Sequence, residues 1–144
     1  MAKNNITKKE SAGGLIYCDG KFLTIKDLDT GIYEIPKGGL HADEDKESAC
    51  VREISEETGY AAKIIKHLST TRFLLDWKDG NTYDKIIHYY LLELIDQSQQ
   101  PNPQREDDEN FENVWATPED VQKLLMHDDA LEALRQAIVY MNRF

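Results

Sequence analysis

Apolar and polar positions along the chain divide it into segments of distinct periodicity. Residues 11–18 (SAGGLIYC) and 21–25 (KFLTI) are short apolar runs joined by Asp19-Gly20, a turn dipeptide, and predict a hairpin. Residues 32–35 are a shorter strand-like stretch ended by Pro36. Between 47 and 58 the chain carries good helix formers and no proline, and Gly59 supplies the left-handed residue expected just past a helix. Residues 61–68 and 70–77 read as two strands, and Asp79-Gly80 marks a turn. The near-continuous apolar run of 83–95 predicts a central strand covered on both faces. Residues 111–115 return to strand. Thr117 then caps a short helix with Pro118 in its first turn. Asp128 or Asp129 opens a last helix, with Leu131, Leu134, Ile138 and Met141 at helical spacing.

Two stretches break this pattern. Residues 1–10 are polar and read as a flexible N-terminus. Residues 96–110 (DQSQQPNPQREDDEN) combine prolines, glutamines and acids, and predict a polar, mobile loop that is long for a compact domain. Neither repeat nor boundary interrupts the order, so the 144 residues are expected to form one domain.

The densest chemistry lies in residues 38–60, GGLHADEDKESACVREISEETGY. At about 100° per residue, Ala49, Arg52, Glu53, Glu56 and Glu57 share roughly a 140° arc of the predicted helix. Cys50, Val51 and Ile54 fall on another side, suited to packing on a sheet. Carboxylates one turn apart repel each other, and a divalent cation relieves the repulsion. Hard oxygen ligands on one face suit magnesium or manganese. Arg52 in the same arc can orient a carboxylate through charge-assisted hydrogen bonds. Acidic runs are ordinarily solvated helix faces. The spacing argues otherwise, since fixing these glycine, glutamate and arginine positions together has a chance on the order of 10⁻⁸ to 10⁻⁹ per start position.

This spacing, G-x5-E-x7-R-E-U-x-E-E-x-G-U with U a bulky apolar residue, resembles the Nudix box of the Nudix hydrolases. Tyr60 stands at the final position. The resemblance covers about residues 10–140. It implies an α/β protein, an α/β/α sandwich around a mixed β-sheet. It also implies a metal-dependent pyrophosphohydrolase that cleaves a diphosphate bond in a nucleoside diphosphate linked to X. Glu56 and Glu57 correspond to the principal metal ligands, Glu53 to a further ligand or proton acceptor, and the Lys37–Gly38 region to a carbonyl donor. The cofactor implied is Mg²⁺ or Mn²⁺. Arg52 would hold the glutamates, and Glu44 would pair with it structurally.

The resemblance places a catalytic base in a later loop. Glu106, Glu109 and Glu112 are candidates; Glu109 is favoured, with a solvated loop acid the competing reading. Lys37 can neutralise a phosphate oxygen. Trp77, Tyr83 and Tyr89 can stack on a base, against a core role for each. His88, inside the apolar run, is expected to be a satisfied core histidine.

Composition narrows the partners. Twenty-seven acids against 17 basic residues give a net charge of −10, which disfavours a grip on nucleic acid or anionic membrane. A small phosphorylated substrate stays compatible, because bound metal inverts local charge. The two cysteines read as buried free thiols rather than a disulfide framework. No apolar N-terminal run or membrane span is present, so a cytoplasmic protein is expected, monomer or homodimer. Pro36-Lys37-Gly38 and the strand-loop-Trp tail resemble the dinucleoside polyphosphate and diphosphoinositol branches, and the net charge weighs against inositol polyphosphates. A nucleotide-sanitising triphosphate pyrophosphohydrolase and a non-catalytic nucleotide sensor are the alternatives. The full set of box glutamates weighs against the sensor.

Overall fold

A computed structural model describes residues 6–142. In chain order the elements are β1 (Ile6–Cys18), β2 (Lys21–Asp27), β3 (Tyr33–Glu34), β4 (Lys37–Gly39), α1 (Lys46–Thr58), β5 (Ala62–Asp76), β6 (Thr82–Leu94), β7 (Phe111–Ala116), α2 (Pro118–Leu124) and α3 (Asp128–Met141). The strands run in the order β3-β2-β1-β6-β5, with β4 on β1 and β7 on β2. Strand β1 is parallel to β6 and antiparallel to β2 and β4, so the sheet is mixed.

Strict alternation explains the layers. On β1 and β6, Ala12, Ile16, Tyr90 and Leu92 point to one face, where Ala49, Cys50 and Ile54 of α1 cover them. Leu15, Ile87, Tyr89 and Leu91 point to the other, against α2 and α3 through Val121, Ala130 and Leu134. The unbroken apolar run of β6 is therefore a strand buried from both sides. The result is an α/β/α sandwich.

Local signals account for the ends. The β1–β2 turn puts Asp19 at φ 51° and Gly20 at φ 79°, the left-handed pair that a two-residue hairpin demands. Asp45 caps α1 by accepting from the Ser48 amide at 2.7 Å, and Thr117 caps α2 through the Asp120 amide.

Several expectations are corrected. Residues 6–10 are strand: they are the first part of β1, held in register with 82–86 of β6, while residues 1–5 lie outside the described residues. The stretches 61–68 and 70–77 form one strand, β5. Two irregularities in its pairing with β6, between Ile64 and Lys66 and between His67 and Ser69, absorb the break that the sequence suggested. Residues 37–39 pair with β1 as β4 rather than forming plain loop. Cys50 is buried and Cys18 only half-buried, both free. His88 is, as expected, a satisfied core histidine, bonded to Thr70 Oγ1 at 2.9 Å and to Glu10 Oε2 at 2.6 Å.

Tyr89 ties the sheet to α3: it is 2% exposed, and its hydroxyl donates to Asp129 Oδ2 at 2.6 Å. Tyr89→Phe is expected to lower the unfolding free energy by about 1–2 kcal/mol, read from urea titrations of both proteins.

Candidate active site

The site is built from three pieces: β4, helix α1 and the loop of residues 96–110. Arg52 fastens the first two together. Its Nε and Nη2 donate to the two carboxylate oxygens of Glu44 at 2.8 and 2.9 Å, a bidentate pair. Its Nη1 donates to Glu53 Oε1 at 2.8 Å and Glu56 Oε2 at 3.1 Å, and Nη2 also reaches the Gly39 carbonyl at 2.8 Å. Arg52 holds the Glu44 carboxyl down to about 2, helped by the His41 amide. The expected Glu44–Arg52 pairing is present.

Glu53 presses against β4. A Cβ on Gly38 would lie 2.1 Å from the Glu53 carboxylate, so any other residue here would displace that carboxylate from its place. Burial raises the Glu53 pKa against the pull of Arg52. Glu57 is 8% exposed and accepts from the Lys37 amide at 3.2 Å. Burial, then the charges of Glu109 and Glu53, push its carboxyl up to about 8, with Lys37 opposing. Glu109 of the long loop therefore acts on both Glu57 and Glu53. Of its competitors, Glu106 opens the turn that Glu109 closes, and Glu112 lies in β7 beside Lys26.

Among the described residues, no three Asp, Glu, His or Cys side chains converge on one metal point. Arg52 holds Glu53 and Glu56, and the Lys37 amide holds Glu57. The donor set nonetheless suits a hard divalent cation: carboxylate oxygens crowded on one face, one of them buried without a cationic side chain bonded to it.

The stacking candidates separate. Tyr89 is not available to a ligand, because the parity of β6 turns it into the α3 side of the core. Trp77 is 53% exposed and lines a cavity of about 480 Å³ with Lys9, Ser11, Gly39, Tyr83 and Lys85. Lys9 sits 5.6 Å above the Tyr83 ring. Burial, then the neighbouring charge of Lys37, lowers the Lys85 pKa, and Lys9 adds to the effect. Lys9 and Lys85 lie opposite each other in the parallel register of β1 and β6. Sequence reading missed both, since neither looked different from a solvated lysine.

The loop of residues 96–110, expected to be mobile, is fastened by hydrogen bonds. The Gln99 side chain both accepts from the Ala61 amide and donates to the Ala61 carbonyl. Arg105, also missed, donates Nε to the Glu57 carbonyl at 2.8 Å. It was visible as the single basic residue in an acidic, proline-containing run.

A mixed sheet between helices carries this arginine–glutamate lattice under a glycine strand. The profile of the NUDIX domain matches residues 7–137, and the chain belongs to that family. Family members generally use divalent metals such as Mg²⁺ or Mn²⁺. The chain is 29% identical over 138 residues to the ADP-ribose pyrophosphatase of Bacillus subtilis, covering 92% of this chain and 71% of the relative. A crystal structure of a MutT NUDIX hydrolase from Burkholderia pseudomallei matches at TM-score 0.68 and 26% identity, over 90% of this chain and 98% of that one. The Ap4A hydrolase of C. elegans shares the fold at TM-score 0.70 and 23% identity, over 94% and 99% of the two chains.

The raised Glu57 carboxyl has a consequence for stability. A carboxyl whose folded pKa lies above its unfolded value binds more protons when folded, so stability falls as pH rises between the two values. In chelator, the thermal midpoint is expected to drop by several degrees more between pH 5 and pH 8 in the parent than in Glu57→Gln. Equal drops in calorimetry would show that Glu57 is not held in this state.

Proposed function

We propose that this protein hydrolyses a diphosphate bond in a nucleoside diphosphate linked to a second group, and that a dinucleoside polyphosphate suits its site best. The observation that carries the reaction is the row of Glu53 and Glu56 held by Arg52 against Gly38 of β4, with Glu57 buried beside the Lys37 amide. Glu56 and Glu57, with Glu53 and the Gly38 carbonyl, are the groups that would hold Mg²⁺ or Mn²⁺, which when bound neutralises phosphate charge and acidifies water. Arg52 keeps the glutamates from collapsing or splaying. Glu109 takes the proton of the attacking water. The Lys37 ammonium offsets negative charge on a phosphate oxygen.

The substrate assignment rests on the cavity beside Gly39. Lys9 and Lys85 offer two cations beside Gly39 of β4, and Trp77 and Tyr83 offer aromatic surface for a second base. An anionic protein that gathers lysines at this spot is suited to a long polyphosphate. A second reading, ADP-ribose hydrolysis, is supported by the Bacillus subtilis relative that spans most of the chain. Either activity is compatible with a cytoplasmic location; no helix among the described residues is long and apolar enough to cross a membrane.

The test is product release from diadenosine tetraphosphate, ADP-ribose, and normal and oxidised nucleoside triphosphates, with and without Mg²⁺. Turnover is expected only with metal, and Glu56→Gln should reduce it by at least about a hundredfold. Tight nucleotide binding without turnover of any compound would instead favour a sensor. Lys85→Ala should raise KM for diadenosine tetraphosphate about tenfold and leave ADP-ribose nearly unaffected. Equal effects on both would remove the cavity from the substrate assignment.

A further inference from the structure

Helix α1 ends without a basic residue in its last turn, and its terminal carbonyls need donors. The segment of residues 102–113 supplies them. The Asn102 amide donates to the Gly59 carbonyl at 3.2 Å, and the Gln104 amide to the Glu56 carbonyl at 2.7 Å. Arg105 Nε donates to the Glu57 carbonyl and Asn113 Nδ2 to the Thr58 carbonyl, both at 2.8 Å. Four successive carbonyls are thus satisfied from one distant segment. A guanidinium also stands at the negative pole of the helix dipole. The close approach demands glycine at position 59, where a Cβ would fall 2.2 Å from the Asn102 nitrogen.

Arg105 does more than cap. Its Nη1 donates to the Phe111 carbonyl at 2.8 Å and its Nη2 to Asn113 Oδ1 at 2.9 Å, so one planar group joins the outgoing limb of the loop, the returning limb and the helix. Between the limbs, residues 106–109 close on themselves: the Glu106 amide donates to Glu109 Oε1 at 2.8 Å, and the Glu109 amide to the Glu106 carbonyl at 3.0 Å. The turn begins at the residue after Arg105. The carbonyl that Arg105 holds belongs to Glu57, whose carboxylate feels the charge of Glu109.

We propose that Arg105 is a positioning residue for the reaction, which fixes the place of the Glu109 turn relative to α1 by clasping the loop to the last turn of that helix. This rests on the role given to Glu109 above. A misplacement of about an ångström is enough to cost a large factor in rate.

The test is a double-mutant cycle on the best substrate of the panel, using Arg105→Gln, Glu109→Gln and the pair. Amide hydrogen exchange of metal-free parent and Arg105→Gln is measured alongside. Arg105→Gln is expected to lower kcat by about tenfold or more with KM changed far less. The pair should lose no more than Glu109→Gln alone, because Arg105 acts through Glu109. Amides of residues 104–109 should exchange about tenfold faster in Arg105→Gln, while those of β1 and β6 stay protected. If Arg105→Gln does not fold, Arg105→Lys takes its place, since it keeps the charge and loses the fork. Unchanged exchange, an unchanged kcat in the arginine variant, or losses that multiply in the pair would overturn the proposal. Full activity in Glu109→Gln would overturn both the base assignment and the positioning that depends on it. Absence of turnover across the panel, even in the parent, would sink the hydrolytic reading and the positioning role with it.

Discussion

One guanidinium orders this site. Arg52 satisfies both oxygens of Glu44, one oxygen each of Glu53 and Glu56, and the carbonyl of Gly39. Only a planar group with five donors in a fixed fork can meet that many acceptors from a helix, a loop and a strand together. A lysine would offer a point charge and leave most of these oxygens to compete. The bond to Gly39 matters as much as the bonds to carboxylates. It pins β4 at its register on β1, and that register presents Gly38 to Glu53.

The helix is otherwise poorly suited to its place. Acids lie one turn apart on a single face, with one of them almost fully removed from water. Such crowding opposes folding. What offsets it is apolar burial on the opposite side, where Ala49, Cys50 and Ile54 seat the helix on the sheet. The site's charge is thus supported by packing several ångströms away, a familiar division between the part of a helix that stabilises and the part that reacts.

Much of this was legible in the sequence, because the signals were local. Gly59 and the absence of proline delimit α1; Asp19-Gly20 specifies its turn; the resemblance to the Nudix box implies the pair of Arg52 and Glu44. Side-chain parity was harder. Tyr89 and Tyr90 are neighbours in an unbroken apolar run, and nothing in composition says which faces α3 and which faces α1; only the register with β1 decides. The long loop misled for a related reason. Its polar residues look solvated, yet Gln99 and Arg105, with Asn113 of β7, hydrogen-bond backbone groups at positions 57 to 61, partners far off in sequence. Lys9 was hidden in a stretch that reads as a tail until β6 is placed beside it.

The parallel pairing of β1 with β6 bears on how the chain is made. Strand β1 carries the middle of the sheet, yet its longest partner begins only at Thr82, after α1 and all of β5 have been synthesised. Emerging from a ribosome at about 5–20 residues per second, the helix with its acids would be exposed for several seconds without the finished face that seats it. The β1–β2 hairpin can form at once, and β5 can pair with β6 as soon as the Asp79-Gly80 turn closes. Assembly then joins two preformed ribbons across a wide loop in sequence, a slow step governed by chain entropy. The completed sandwich owes its order to the last ribbon to arrive, so a chain interrupted before residue 82 has its reactive helix but no sheet to hold it.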